Sequence, residues 1–323
     1  LLSLPAMLGQ GYDRSLAAGT VCGSGTLGIL IPPSIMLVIM ADQLALSVGD
    51  LFMGAVFPGL ILGTLYVSYI LLRSNLRPES APLSPDLQDF SWLMIWDVIK
   101  SILPPVFLIL AVLGSIFAGI TTPTEASGVG ALGAILLAAY NHNLNFSVLK
   151  EVTYAAFKTT AYIFAIFLGA TCFALVLREL GGDELVERAI TGLPFGKYGI
   201  LIFILFIVFL LGFLLDWIEI TLIILPLLSP IVDGLGFEIE GFGAMDEPDL
   251  IWFTLLVAVA LQTSFLTPPV GFALFYLKGV CPPEIKMVDI YKGVAPIIIL
   301  QLIGLTLVVL FPTIATWLPS VAY

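Results

Sequence analysis

Nine long apolar segments constrain this chain more than any other feature of its sequence. They cover roughly residues 16–46, 50–72, 99–119, 123–140, 155–178, 199–215, 217–232, 250–280 and 294–318. A helix needs about 20 apolar residues to cross a hydrocarbon core of about 30 Å. Only 11% of the residues are charged and 59% are hydrophobic, whereas soluble domains have about a quarter charged. The sequence therefore predicts an all-α polytopic membrane protein.

Composition argues against several classes of function. The net charge of −11 leaves no basic patch, so we expect no nucleic acid partner. Cys22, Cys172 and Cys281 have no metal-ligand spacing, which predicts neither a disulfide framework nor a transition-metal site. The chain has no Walker motif and no hydrolase motif, so neither ATP coupling nor an enzymatic activity is expected. It begins at Leu1 rather than Met, and we expect an N-terminal part to be missing.

Three sequence elements occur twice, in the same order. PAMLGQGYD (5–13) pairs with PIVDGLGFE (230–238), and ILIPPS (29–34) pairs with FLTPPV (265–270). The third element is a glycine shortly before a proline, which is Gly54 and Pro58 in the first copy and Gly293 and Pro296 in the second. The first pair shares the pattern P-x-x-x-G-x-G-aromatic-acid. This order predicts an internal repeat of the kind found in secondary transporters.

The number of segments between the copies predicts that they run through the membrane in opposite directions. The pair 199–215 and 217–232 makes no net crossing, whether it is a re-entrant hairpin or two full spans. Most basic residues then fall on one side, which the positive-inside rule assigns to the cytoplasm. They are Arg14, Arg73, Arg77, Lys100, Lys150, Lys158, Lys278, Lys286 and Lys292, against Arg178, Arg188 and Lys197 on the other side. An inverted repeat is the interpretation that these positions favour.

Residues 25–34, GTLGILIPPS, place two glycines and two prolines inside an apolar run, and the second copy repeats the proline pair. Broken helices are tolerated in lipid only where the freed backbone is buried or lines a cavity. The freed carbonyl oxygens and nearby hydroxyls suit a hard cation such as Na⁺, and half-helix N-termini suit a carboxylate. The hydroxyls are those of Thr26, Ser34, Thr263, Ser264 and Thr267. A kink that serves packing alone is the alternative.

Asp216 and Glu219 lie inside the apolar stretch from residue 200 to 232. A carboxylate at that depth costs about 3 kcal/mol and indicates a functional site. The two acids, three residues apart, could share one helix face. Alternatively, Asp216 could cap the second arm of a re-entrant hairpin. If the stretch is two full spans, both acids lie at a membrane surface.

Two further observations concern charge. Glu125, in TTPTEASGVG (121–130), fits either a capping-box acid or a ligand at a helix start. All twelve Lys and Arg residues fall near segment ends or in loops. An anionic substrate would therefore be held by helix N-termini, hydroxyls and cations, and a partner protein would supply any arginine.

Several of these stretches together are similar to one family. GTVCGSGTLGILIPPS, SVGDLFMGAVFPGL, TTPTEA, GFLLD and FLTPPVGFALF resemble, in order, the large membrane (M, DctM-type) subunit of tripartite ATP-independent periplasmic (TRAP) transporters. The resemblance implies an elevator-type secondary transporter of the bacterial inner membrane that imports organic acids, commonly carboxylates, driven by Na⁺. It also implies a small four-helix membrane subunit (Q) and a soluble periplasmic binding protein as partners, with no cofactor beyond the coupling ion.

The family's sodium sites lie where two hairpin tips face two broken helices. On this sequence the resemblance implies cation ligands at Gly25, Thr26, Pro32 and Pro33 in one copy, and at Gly212, Leu214, Asp216, Thr267, Pro268 and Gly271 in the other. We expect substrate contacts from Ser34, Glu219, Gln262, Thr263 and Ser264. The first hairpin, which should precede PAMLGQGYD, is absent here, so the first cation site is expected to be incomplete. Trp217 and Glu219 differ from the small hydroxylated residues of many members, which leaves the substrate class open.

The predicted organisation has four parts. Residues 1–46 form the end of repeat 1, 47–178 a scaffold with connecting helices, 199–280 the hairpin and broken helix of repeat 2, and 281–323 a C-terminal helix. Three other functions remain to be distinguished: a stand-alone ion-coupled carboxylate transporter, a passive channel, and an intramembrane enzyme that uses Asp216 and Glu219 as an acid pair.

Overall fold

The computed structural model describes residues 3–82, 92–239, 247–269 and 271–322. The helices are α1 (Ser3–Gly9), α2 (Arg14–Leu30), α3 (Ile35–Gln43), α4 (Val48–Leu76), α5 (Trp92–Phe117), α6 (Pro123–Tyr140), α7 (Phe146–Glu179), α8 (Gly182–Thr191), α9 (Lys197–Leu211), α10 (Trp217–Glu219), α11 (Leu225–Gly234), α12 (Pro248–Leu266), α13 (Phe272–Val280), α14 (Met287–Leu310) and α15 (Thr313–Ala322). A π-helical turn, Ile220–Ile224, joins α10 to α11. No β-strand occurs among these described residues, and the predicted all-α class is confirmed.

Seven stretches among the described residues are long and apolar enough to cross a membrane. They are Arg14–Gln43, Val48–Leu76, Met94–Phe117, Phe146–Glu179, Trp217–Gly234, Pro248–Leu266 and Met287–Leu310. Helix α9 is also apolar, but it has only 15 residues and is therefore about 22 Å long. The predicted segment 123–140 forms the 18-residue helix α6, which is not one of the seven.

Both predicted helix breaks are present. Helix α2 ends at Leu30 and α3 begins at Ile35, while α12 ends at Leu266 and α13 begins at Phe272. The Pro-Pro bond is cis in each break. Proline lacks the amide hydrogen that a continuous helix would need at these positions, which explains why each helix stops there.

The chain forms two compact units. The larger unit consists of residues 1–84 and 170–323, and the second of residues 85–169. In the second unit α5 and α6 pack as antiparallel neighbours. A methyl group on Gly133 would overlap the side chain of Leu108, and one on Gly130 would lie 3.3 Å from Cγ2 of Val112. Later residues of α5 therefore contact earlier residues of α6, which shows that the two helices are antiparallel.

Helix α6 begins with the capping box that the sequence offered as one of two interpretations. The Glu125 carboxylate accepts from the backbone N–H of Thr122 at 2.9 Å and from its hydroxyl at 3.0 Å, while the Thr122 hydroxyl accepts from the Glu125 N–H at 3.3 Å. Glu125 is therefore a capping residue here.

Thr122→Ala should remove half of this box and lower the stability of the α6 start by about 1 kcal/mol. Faster amide hydrogen exchange in the first turn of α6 is the expected result. Thr124→Ala, an exposed change in the same turn, is the matched control. Equal exchange in both variants would contradict the capping role.

In the larger unit, α2 and α14 run parallel and in close contact. A methyl group on Gly19 would overlap the carbonyl group of Gly293, and one on Gly293 would overlap the carbonyl oxygen of Ser15. One turn further, a methyl group on Gly23 would lie 3.0 Å from Cγ2 of Ile297. Ser15, Gly19 and Gly23 recur every four residues, which is the small-residue spacing that lets membrane helices approach closely.

Helix α4 runs antiparallel to α2. A methyl group on Gly59 would lie 2.8 Å from Cγ1 of Ile31, and one on Gly63 would lie 3.6 Å from Cδ2 of Leu27. Later residues of α4 therefore contact earlier residues of α2, as antiparallel helices require.

Helix α12 runs parallel to α4 and therefore opposite to α2. A methyl group on Gly54 would lie 2.9 Å from Cδ1 of Leu255, and near the other end the amide nitrogen of Gln262 lies 3.5 Å from the hydroxyl of Tyr66. Every residue of α12 from Leu250 to Leu266 is buried. It is the central helix of this unit, around which the others pack.

Candidate functional site

At the first break, the hydroxyl of one serine forms hydrogen bonds to both half-helices. Ser34 lies immediately before α3, where its hydroxyl accepts from the backbone N–H of Leu37 at 3.4 Å and donates to the carbonyl oxygen of Ile29 in α2. Its side chain is buried. Ser34 thus links the end of one half-helix to the start of the next.

The remaining predicted ligands of this break have different surroundings. Thr26 is buried and donates to the carbonyl oxygen of Gly23 at 3.1 Å, and Pro32 is also buried. Gly25 and Pro33 are exposed, and a methyl group on Gly25 would meet nothing within 4 Å. The Gly25 face of α2 is therefore open in the part of the chain that the structure describes.

The second break has three hydroxyl groups at the end of α12. Thr263, Ser264 and Thr267 each donate at 2.8 Å to a backbone carbonyl, those of Val259, Leu261 and Thr263 respectively. Because each hydroxyl donates its one hydrogen to a carbonyl, the lone pairs of its oxygen remain available to a cation. The C-terminal end of a helix also has a partial negative charge, which favours a cation at the same place.

The backbone at the start of α13 packs tightly on the end of α12. Gly271 precedes α13 with φ +27°, and a methyl group there would lie 3.0 Å from the carbonyl oxygen of Phe265. Pro268 is partly buried. A side chain at position 271 would separate the two half-helices, so this position requires glycine.

A hairpin tip lies against the second break. Helix α9 ends at Leu211, and the chain turns before Asp216, whose carboxylate accepts from the backbone N–H of Trp217 at 2.8 Å. This is the cap that the sequence offered as one interpretation. A methyl group on Gly212 would overlap the hydroxyl oxygen of Ser264. The structure therefore brings the tip into contact with the hydroxyl-rich end of α12.

The other predicted residues of the tip lie close by in sequence but differ in exposure. Leu214 is 77% exposed. Glu219 is partly buried, and its Oε2 atom is buried without a hydrogen-bond partner among the described residues. The π-helical turn that follows packs against α3, the second half of the first broken helix. The tip and the turn that follows it therefore contact elements of the second and the first break respectively.

Gln262, which the sequence predicted as a substrate contact, faces the helix core. It is fully buried and lies beside Tyr66 of α4, and Gln301 of α14 is fully buried as well. The sequence interpretation missed Tyr66 and Gln301. A glutamine in the middle of a strongly apolar membrane segment was the signal that could have found Gln301.

Residues 1–314 match the family model described as tripartite ATP-independent periplasmic transporter, DctM component. The chain is 28% identical to the C4-dicarboxylate TRAP transporter large permease protein DctM of Vibrio cholerae, over 98% of this chain and 71% of the relative. It is 29% identical to the isethionate TRAP transporter permease protein DctMQ of Oleidesulfovibrio alaskensis, over 97% of this chain and 47% of the relative. It is 26% identical to the ectoine TRAP transporter large permease protein TeaC of Halomonas elongata, over 99% of this chain and 71% of the relative.

The match extends over all the elements described above, from α1 to the start of α15. Together with the seven apolar helices, it identifies a multi-pass protein of the inner membrane. The family is that of a transporter component rather than an enzyme. The chain belongs to the DctM component family of tripartite ATP-independent periplasmic transporters.

Proposed function

We propose that the chain is part of the permease subunit of a Na⁺-coupled secondary transporter that imports an organic acid. The observation that supports this most directly is the contact of Gly212 with Ser264, because it places a hairpin tip on the cation-favouring end of a broken helix. The partners would be a small membrane subunit and a periplasmic substrate-binding protein. The name DctMQ of the isethionate relative is consistent with an M and a Q part working together.

We also propose that the two breaks belong to an inverted repeat. Two facts support the proposal. Helices α2 and α12 run in opposite directions, and α2 contacts a glycine of α14 at the positions that are equivalent to those where α12 contacts a glycine of α4. Gly293 meets positions 15 and 19 of α2, and Gly54 meets positions 251 and 255 of α12. In the register that aligns ILIPPS with FLTPPV, position 15 corresponds to 251 and position 19 to 255.

The cation would bind at the second break. Its ligands would be the hydroxyl oxygens of Ser264 and Thr267, backbone oxygens near Gly212 and Leu214, and the Asp216 carboxylate, since hard cations prefer oxygen ligands. The substrate carboxylate would lie nearer the N-terminal ends of α3 and α13, where partial positive charge favours anions.

The basic side chains nearest the broken helices in sequence are engaged with other groups. Lys278 of α13 donates to the carbonyl oxygen of Ile285 at 2.7 Å. Arg73 pairs with Asp13 at 3.0 Å and Arg14 donates to the carbonyl of Glu284 at 3.0 Å, both at the end of the unit where α2 and α14 begin. Lys197 donates to the carbonyl of Gly236 at 3.2 Å, near the start of α12 at the opposite end. Na⁺ would therefore supply positive charge at the breaks.

An elevator motion is the proposed mechanism, with both breaks and the hairpin moving as one body. The predicted scaffold, 47–178, includes α4. Because α4 packs against α2 and α12 inside the larger unit, we now assign α4 to the moving body and the scaffold to residues 85–169. The hairpin would be re-entrant, since α9, at about 22 Å, is shorter than the hydrocarbon core.

Uptake by the full-length permease, reconstituted with its membrane subunit and binding protein, tests the proposal. Labelled succinate, isethionate and ectoine would serve as probes, after the relatives' named substrates. We expect saturable uptake of at least one probe that requires both an inward Na⁺ gradient and the binding protein. Uptake without the binding protein would instead indicate a stand-alone transporter, and unsaturable uptake without a gradient would indicate a channel.

A further inference from the structure

Three polar side chains meet deep inside the larger unit, each on a different apolar helix. They are Tyr66 of α4, Gln262 of α12 and Gln301 of α14. Both glutamines are fully buried and Tyr66 is 5% exposed. The amide nitrogen of Gln262 lies 3.5 Å from the Tyr66 hydroxyl. Burying a polar group is costly unless it finds hydrogen-bond partners, so the bonding of these three side chains needs an explanation.

The packing of α4 on α14 brings Gln301 to the same point. A methyl group on Gly304 of α14 would overlap the side chain of Leu62 in α4. These two helices are antiparallel, since α4 runs opposite to α2 and α2 runs parallel to α14. Tyr66 lies four residues after Leu62, and Gln301 lies three residues before Gly304, so each is one turn from this contact on the same helix face. Gln301 therefore faces Tyr66, whose hydroxyl Gln262 approaches from α12.

Three atoms of the two glutamines are left without hydrogen bonds. Oε1 of Gln262 and both amide atoms of Gln301, Oε1 and Nε2, are buried with no partner among the described residues. Buried polar atoms in proteins are almost always hydrogen-bonded, either to protein or to ordered water. Three unpaired atoms on two side chains that converge on one tyrosine indicate a ligand between them.

The chemistry of the unpaired atoms determines which ligand fits. Two of them are carbonyl oxygens, which accept hydrogen bonds or bind a cation, and the third is an amide nitrogen, which donates. A cation would leave the amide hydrogens of Gln301 unpaired, and an anion would leave both oxygens unpaired. Because Tyr66, Gln262 and Gln301 are uncharged, they would also give a buried ion no opposite charge. Water is neutral, and it both donates and accepts.

We propose that one internal water molecule is bound by Gln262 and Gln301, beside the Tyr66 hydroxyl, where α4, α12 and α14 meet. It accepts from Nε2 of Gln301 and donates one hydrogen to Oε1 of the same amide. Its second hydrogen goes to Oε1 of Gln262. These three hydrogen bonds satisfy all three unpaired atoms, and three is the usual number for a buried water.

The water links the broken helix α12 to α14 through polar bonds one turn before α12 ends at Leu266. It is distinct from the proposed cation site, whose ligands lie at the hairpin tip and at Ser264 and Thr267. The inference does not depend on the proposed transport function, because it follows from burial and hydrogen bonding alone.

An electron cryomicroscopy map of the full-length permease, fine enough to show ordered waters, tests the proposal on the unaltered protein. We expect one density peak at about 2.7–3.2 Å from Nε2 of Gln301 and from Oε1 of Gln262, the range for hydrogen bonds. Direct hydrogen bonds between the two amides with no peak between them would overturn the proposal. A peak contacted only by oxygen atoms, at the shorter distances of a metal ion, would also overturn it.

A double-mutant cycle tests whether the two glutamines share one ligand. Methionine is similar to glutamine in size but has no amide, so Gln262→Met and Gln301→Met each remove the partners on one side of the water. We expect each to lower the melting temperature by a few degrees, and the double variant to lose less than the sum, because the first change already releases the water. Gln10→Met, at an exposed position, is the control and should add nothing. Losses that add up fully would overturn the shared site.

Discussion

Gly19→Ala is expected to destabilise the protein by about 1–3 kcal/mol or more, although alanine is the better helix former. In a helix interior alanine is favoured over glycine by about 1 kcal/mol. At Gly19, however, the added methyl group would overlap the carbonyl group of Gly293. That neighbour is backbone rather than a flexible side chain, so α2 and α14 would have to separate, and overpacking of this kind is costly. The measurement is the melting temperature of the purified full-length protein.

Gly28→Ala is the matched control for this prediction. Gly28 lies on the same helix, and a methyl group there would meet nothing within 4 Å. The control should melt at the wild-type temperature or slightly above it, because only the helix propensity changes. If the two variants had the same melting temperature, the close packing of α2 on α14 would be contradicted.

Gly212→Ala is expected to weaken the response to Na⁺ by about tenfold or more while the protein still folds. The added methyl group would overlap the hydroxyl oxygen of Ser264 and lie 2.9 Å from its Cβ atom. The tip must then move away from the end of α12, and the proposed ligands would no longer converge. A displacement of about 1 Å is enough to spoil a site that depends on fixed geometry.

The Na⁺ concentration that gives half of the maximal thermal shift is the quantity to compare. Gly234→Ala, in α11 of the same hairpin, is the control, because a methyl group there would meet nothing within 4 Å. An unchanged half-maximal concentration in Gly212→Ala would show that the tip does not contribute to the cation site.

The helix breaks could be predicted from the sequence because their cause is local. Pro32 and Pro268 remove backbone donors at their own positions, so the apolar pattern and the prolines were enough. The cap at Asp216 and the capping box at Glu125 are equally local, since each bonds to groups within three residues.

Contacts between distant helices could not be predicted in the same way. The close approach of Gly19 to Gly293 depends on two helices that are far apart in the chain. The four-residue spacing of Ser15, Gly19 and Gly23 indicates that a helix packs there, but it does not name the partner. The same limit applies to Gln262, because its position beside Tyr66 depends on a helix that is far away in the chain.

The sequence also could not distinguish two acids of similar appearance. Glu125 and Glu219 each lie three residues after a helix-capping side chain, Thr122 and Asp216 respectively. In the structure Glu125 forms the capping box, whereas the Oε2 atom of Glu219 has no hydrogen-bond partner among the described residues. The difference depends on side-chain geometry at the tip, which neither composition nor spacing determines.

The melting temperature of the full-length complex in NaCl, against equal choline or potassium chloride, tests the central claim most directly. A ligand at 100 times its dissociation constant stabilises the folded state by about 2.7 kcal/mol, so we expect a rise of several degrees that is selective for Na⁺. Asp216→Asn should reduce the rise, and Asp233→Asn, an exposed acid in α11, should not. Equal melting temperatures in all three salts, or an undiminished Na⁺ response in Asp216→Asn, would contradict a sodium site at the second break.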